Sequence, residues 1–226
     1  MLAAALARIQ GFLLEPAAPA VQVPVAPAAP APVLESLDVV VTALGSRSGA
    51  GTVAAGLVSA LAVPGARTGH FVHAAPPSAG AGRRLGAVTH WELPAALHDP
   101  AEVAEYGATL RRLASGSGPA AVVWHVPAAE TQRAALVMAA ADVVVAVADG
   151  AAEPALCSLV CDLLRERCRR VVLAANRVDD PERWSRWAVA AIPESRLGAL
   201  LLSRGHGPGG VMEAAFARLG ACVEGE

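Results

Sequence analysis

A strand-turn-helix signature between Leu37 and Leu61, LDVVVTALGSRSGAGTVAAGLVSAL, constrains this chain more than any other stretch. Val39, Val40 and Val41 form a β-branched run suited to a strand covered on both faces, and Thr52 to Leu61 carries apolar residues at helical spacing. Between them lie Gly45, Gly49 and Gly51. A turn of this kind points backbone N–H groups into one concavity at a helix N-terminus, where unpaired donors and the helix dipole favour an anion. The plain alternative is a tight strand-to-helix connection that holds no ligand.

A phosphate loop normally adds a lysine for the β- and γ-phosphates and a hydroxyl for Mg²⁺. Aligned on the glycines, Thr52 stands at the lysine position and Val53 at the hydroxyl position. All 18 Lys+Arg residues are arginine, so no lysine elsewhere in the chain substitutes.

Beyond Leu61 the chain alternates. Strands are expected at Thr68 to Ala74, Val88 to Leu93, Ala120 to Val126, Val143 to Ala148 and Arg170 to Ala175. Helices are expected at Pro100 to Ala114, Ala129 to Ala140, Pro154 to Cys168, Ser195 to Leu202 and Gly209 to Val223. This rhythm predicts an α/β fold: a mainly parallel sheet with helices on both faces and ligands at the carboxyl ends of the strands. A length of 226 residues supports one such domain with a tail.

The tail reads in two parts. In residues 1–14, Leu2, Leu6, Ile9 and Leu13 share one face of a short amphipathic helix, which needs something to dock on. Residues 15–36 form a Pro/Ala-rich linker with Pro16, Pro19, Pro24, Pro27, Pro30 and Pro32. Extended at about 3.1 Å per residue it reaches roughly 70 Å. The α/β domain is expected over 37–226. The tethered helix is read as a contact for a protein partner, with a membrane surface or a tail without a partner as the other readings.

A net charge of −2 and a pI near 6.3 leave no strong nucleic-acid signature. The opening segment lacks the pattern of a secretory leader, and the expected compartment is the cytoplasm, with recruitment to a membrane-associated complex. Cys157, Cys161, Cys168 and Cys222 are expected as small buried hydrophobes, and no metal site is expected. Asp149-Gly150 reads as a turn, and Arg165, Arg167, Arg169 and Arg170 as a solvated helix end. Trp184 and Trp187 lie three apart, with one edge expected to be buried against the core.

In order, these motifs resemble the MinD/ParA group of P-loop ATPases, a deviant Walker A family that includes pilus-assembly and flagellar-number relatives. GSRSGAGT resembles the family's phosphate loop, with Gly45, Arg47, Ser48, Gly49, Ala50, Gly51 and Thr52 as the implied nucleotide-binding residues and Arg47 at the extra, partner-reaching lysine. VVLAANRV resembles the strand that ends beside the base, implying roles for Asn176 and Arg177. AAIPESR resembles the base-flanking loop, implying one for Pro193. His125 stands where the family places a switch aspartate, and the second strand ends without the family's acidic signature.

The resemblance implies ATP or ADP as ligand, without a clear Mg²⁺ ligand, and a homodimer. The departures imply a degenerate member: a pseudo-ATPase with no catalytic residues, acting as a regulatory or interaction subunit in positioning or assembling a division, pilus or flagellar machine. One alternative is an atypical ATP hydrolase in which Arg47 supplies the phosphate charge. A more distant one is a short-chain NAD(P)-dependent oxidoreductase, whose turn Gly45-x-x-x-Gly49-x-Gly51 also fits. That chemistry needs a Tyr and a Lys four residues later, whereas Leu110 follows the only tyrosine, Tyr106.

Overall fold

The computed structural model describes residues 35–74, 83–85 and 87–225. The expected N-terminal helix with Leu2, Leu6, Ile9 and Leu13, and nearly all of the expected linker, lie outside the described residues. In chain order the elements are β1 (Leu37–Ala43), α1 (Ala50–Leu61), β2 (Thr68–His73), β3 (Arg83–Leu85), β4 (Val88–Glu92), α2 (Pro100–Ala114), β5 (Ala120–Val126) and α3 (Ala135–Ala140). They continue with β6 (Val143–Asp149), α4 (Pro154–Arg165), β7 (Val171–Val178), α5 (Pro181–Trp184), β8 (Ala190–Pro193), α6 (Arg196–Ser203) and α7 (Glu213–Glu224).

The strands form one sheet in the order β3-β4-β2-β5-β1-β6-β7-β8. Every pairing is parallel except that of β3 with β4. The valine-rich β1 lies at the centre, between β5 and β6, where strands bury both faces and need no polar alternation. Side chains alternate from it into two cores. Val40 joins Trp124, Leu110, Val137, Cys161 and Trp184 on the face covered by α2 to α5, while Val39 and Val41 join Leu57, Leu61, Ile192, Phe216 and Leu219 under α1, α6 and α7. This is the expected architecture.

Helix starts follow local chemistry. Asp99 caps α2 by accepting from Ala101 N at 2.7 Å, Asp180 caps α5 through Glu182 N at 3.0 Å, and Ser195 caps α6 through Gly198 N at 3.0 Å. Pro100, Pro154 and Pro181 occupy first-turn positions, where the missing N–H costs nothing.

Several segments differ from the sequence reading, among them a short helix at Pro181–Trp184 that it did not include. The helix expected over 129–140 is a 3₁₀ turn at Ala128–Glu130 followed by the shorter α3. Arg133 lies between them, its guanidinium held by the Leu97 carbonyl, by Pro94 O at 2.7 Å and by Glu130 at 3.2 Å. AAIP, read as a loop, is strand β8 and extends the sheet beyond β7. A short antiparallel β3 closes the opposite edge.

Cys157, Cys161 and Cys168 are buried, Cys222 is half-buried, and all are free thiols. Burial raises the first three above the usual thiol range, Cys161 to about 11. Trp184 is fully buried and donates its Nε1–H to Gly150 O at 3.1 Å, whereas Trp187 is half-exposed. The arginine cluster divides. Arg165 pairs with Asp162 on its own helix, and Arg170 reaches the Cys222 carbonyl at the end of α7, where a helix C-terminus favours a cation.

Candidate functional site

The carboxyl end of β1 leads into the glycine turn, and the parallel sheet brings the ends of β2, β5, β6 and β7 to the same edge. Gly49 caps α1 at φ 74, a left-handed conformation that glycine adopts without strain. Its backbone also leaves no room for a side chain, because a Cβ there would lie 2.2 Å from Asn176 Nδ2. Asn176, buried at the end of β7, donates Nδ2–H to Ser48 O at 2.9 Å. The following residue, Arg177, has φ 60 and directs its guanidinium to the Arg47 carbonyl and to the Asp149 carboxylate. Two consecutive residues of β7 thus clasp two consecutive carbonyls of the turn.

Asp149 ends β6 and shapes the adjoining turn by accepting from Ala151 N at 3.0 Å. The expected Asp149-Gly150 turn therefore carries a second role, as the anion that fixes Arg177. Gly150 donates to Asn176 O at 2.7 Å, and a Cβ on Gly150 would meet Arg177 O at 2.3 Å.

On the other side, Gly51 approaches His125, since a Cβ on Gly51 would lie 3.3 Å from His125 Cε1. In-register pairing of β2 with β5 sets His73 opposite His125. Their Nδ1 atoms are 2.8 Å apart, and their rings stack at 4.7 Å with an interplanar angle of 13°. A hydrogen bond between two Nδ1 atoms requires one ring to donate and the other to accept, which excludes two imidazolium rings. Burial first and His73 second push His125 down to about 4, while burial lowers His73 against the opposing charge of Glu92.

The sequence-derived site residues gather here. Gly49, Thr52, Asn176, Arg177 and Pro193 line one cavity of about 190 Å³ together with Ser195 and Arg196. Arg47 is exposed and lines a wider groove of about 670 Å³ with Ser46, Asp149, Arg177 and Arg183. Gly45 is exposed at the start of the turn, and Ala50 is buried at the first helical position. The sequence reading did not single out His73 or the Arg177–Asp149 pair. Histidines near the ends of two strands, GHFVH and VVWHV, were the available signal for the first.

A phosphate loop that serves triphosphate chemistry works with Mg²⁺, and the residues here fit that pair poorly. Val53, at the place of the metal hydroxyl, is fully buried and apolar. Asp149, which lines the groove beside the turn, is neutralised by Arg177, and imidazoles are softer donors than Mg²⁺ prefers. Two buried hydroxyls, Thr42 Oγ1 and Ser48 Oγ, find no hydrogen-bond partner. Among the described residues, no group of three or more His, Cys, Asp or Glu is arranged to hold a metal ion.

No protein-family model and no curated protein sequence matches this chain. Solved structures do. The ParA family ATPase from Chlorobium tepidum superposes with a TM-score of 0.60 at 12% identity, covering 82% of this chain and 98% of the ATPase. The MinD cell division protein of Aquifex aeolicus gives 0.59 at 15% identity over 84% and 98%. MinD from the MinC:MinD cell division complex of the same organism matches at 0.59 and 15% identity over 84% and 96%. At these identities the likeness speaks for the fold: a MinD/ParA-like, P-loop NTPase-like α/β architecture. It does not favour the oxidoreductase alternative.

Proposed function

We propose that this MinD/ParA-like fold works here without hydrolysis, as a regulatory or interaction subunit in machinery that positions or assembles a division, pilus or flagellar structure. One observation carries the reading: Thr52, Val53 and His125 stand where the lysine, the metal hydroxyl and the water-placing carboxylate would, on a turn whose carbonyls the protein's own side chains hold. Asn176 takes Ser48 O, Arg177 takes the Arg47 carbonyl, and His125 packs against Gly51 while bonded to His73. Phosphoryl transfer is catalysed by positioning and charge stabilisation, and here the lysine, the metal hydroxyl and the water-placing carboxylate are all replaced. A similar fold occurs in a MinC:MinD complex, which supports a protein partner as the physiological ligand.

In this proposal residues 1–14 provide a partner contact through Leu2, Leu6, Ile9 and Leu13, and the protein works in the cytoplasm at a membrane-associated complex. Among the described residues, no helix is long and apolar enough to cross a membrane.

Titration of the purified protein with ATP and ADP, with and without Mg²⁺, followed by a phosphate-release assay, tests the reading. Release at the level of a buffer blank and no tightening by Mg²⁺ are expected. Exposed Arg47, bordering the wide groove, favours the second reading of an atypical hydrolase. Turnover that disappears in Arg47→Ala would install that reading instead.

A further inference from the structure

Asp38 is the one charged residue of β1, and its side chain is only 7% exposed. Register sets it beside Val122 of β5, on the face of the sheet that Val40 and Trp124 also occupy. A carboxyl buried there destabilises the fold unless charges and hydrogen bonds offset it, and this one is only partly compensated. Arg111 of α2 brings Nε to 3.1 Å from Oδ2 without hydrogen-bond alignment, and Oδ1 finds no hydrogen-bond partner among the described residues. The backbone has no need of the group, because Asp38 N donates to Asp142 Oδ2 at 2.8 Å and Asp142 N donates to Asp38 O at 2.9 Å.

Asp38 lines a cavity of about 280 Å³ at the amino ends of β1, β5 and β6, together with Ser36, Arg111, Ser115, Asp142 and Arg169. Its charges are graded with depth. Asp38 is the most deeply buried, Arg111 and Asp142 are partly exposed, and Arg169 is 70% exposed and held only by a loose pairing with Asp142 at 3.9 Å. An acidic floor thus lies under a basic rim. Among the described residues no third acid or imidazole joins the two aspartates to hold a metal ion, and the two guanidiniums beside them repel one.

We propose that this cavity binds a compact zwitterion, a free amino acid whose ammonium group donates to Asp38 Oδ1 and whose carboxylate is held by Arg169 and Arg111. Each end of that ligand meets a group with an unused contact. An ammonium carries three donors, and Oδ1 accepts one of them. The loosely paired Arg169 presents a planar fork of donors that matches a carboxylate. An amine alone would leave the basic rim unmatched, and an anion alone would meet Asp38 as a like charge. The volume falls below the roughly 300 to 1,000 Å³ of pockets for drug-sized ligands, and Ala120 and Ala140 give it small apolar walls, so a short aliphatic side chain fits best. The cavity lies at the edge of the sheet opposite the glycine turn. Binding there needs no nucleotide and stands independently of the non-hydrolysing reading.

Isothermal titration calorimetry of the full chain with glycine, L-alanine and L-valine, set against ethylamine and propionate, tests this. At least one of the amino acids should bind saturably with a dissociation constant below about 1 mM, and both half-ligands should bind about tenfold more weakly or worse. Asp38→Asn keeps the shape of the floor and removes its charge, while Arg169→Ala alters an exposed side chain and should keep the wild-type thermal midpoint. Each should weaken the best amino acid about tenfold or more, as loss of a charged hydrogen bond does. Burial raises Asp38 to about 6 against the pull of Arg111, with Asp142 adding to the rise and Trp124 opposing it, so affinity should fall between about pH 7.5 and 5 in the wild type and stay level in Asp38→Asn. The proposal fails if none of the three amino acids saturates the protein, if ethylamine or propionate binds as tightly as they do, or if folded Asp38→Asn and Arg169→Ala proteins bind like the wild type.

Discussion

A buried carboxyl and a half-buried imidazole oppose each other as the pH falls. Burial pushes Asp38 up to about 6 despite Arg111 at 3.1 Å, with Asp142 adding to the rise and Trp124 working against it. From about pH 4 to 6 the folded protein holds a proton there that the unfolded chain has lost, so this group lowers stability as pH rises. His125, pushed down to about 4, is neutral in the fold while the unfolded chain is charged, so its contribution grows with pH up to about 6.5. At about 1.4 kcal/mol per pKa unit, each effect is of order 3 kcal/mol. Wild-type stability should therefore change less across this window than either effect alone, with His73, also lowered by burial, tipping it toward a rise with pH. Urea denaturation at stepped pH should find Asp38→Asn gaining stability with pH and His125→Gln losing it, and parallel profiles for the two variants would refute the assignment. A second residue-scale expectation concerns Gly49. Replacing it with alanine should cost about 2 kcal/mol or more, because a side chain at φ 74 is strained and must also displace Asn176. Denaturation of Gly49→Ala against Asn176→Ala and the double variant checks this. Displacement of Asn176 predicts that the double variant is less destabilised than the two single effects added together.

Between elements, α1 and α7 approach closely. A Cβ on Gly56 would lie 2.2 Å from Phe216 Cζ, so the helices meet where one has no side chain and the other a ring. Alanine normally strengthens a helix interior by up to about 1 kcal/mol over glycine. Here the order should reverse: Gly56→Ala should lose about 1 to 3 kcal/mol to overpacking, and Phe216→Leu in the same protein should recover part of it by thermal or chemical denaturation. What the sequence made legible follows the same division between local and distant causes. β1, β5, β6 and β7 were readable because β-branched and apolar runs encode strands locally. α2 was readable from Asp99 and Pro100 at its start. β8 was not, since four residues ending in proline resemble a loop until the edge of β7 supplies a partner. α3 was overextended because an Ala-rich pattern does not reveal that Arg133 is engaged by the Pro94 and Leu97 carbonyls. In the site, the glycine turn was legible and the His73–His125 bond was not, for strand register decides which ring faces which across fifty-two positions.

For the whole molecule, residues 34–226 form one compact unit with both cores inside it. We propose that the domain boundary lies near residue 37, as the composition change at Ser36 implies. Removing residues 1–34 should then shift the thermal midpoint by no more than about 2 °C, a few tenths of a kcal/mol for a chain of this size, and a drop of many degrees would place those residues in the folded core. The strand order also has a consequence for synthesis on the ribosome. β1 is made first yet lies at the centre, and its pairings, Leu37 with Ala121 and Val39 with Val143, join it to segments made about 80 to 100 residues later. At the roughly 5 to 20 residues per second of translation, its valines wait between several and about 20 seconds for either flanking strand. During that interval this valine-rich strand has two open edges, and the nascent chain depends on slow aggregation or on a chaperone until β5 emerges. Codons that slow elongation between Leu61 and Ala120 would therefore lower soluble yield without changing a single residue.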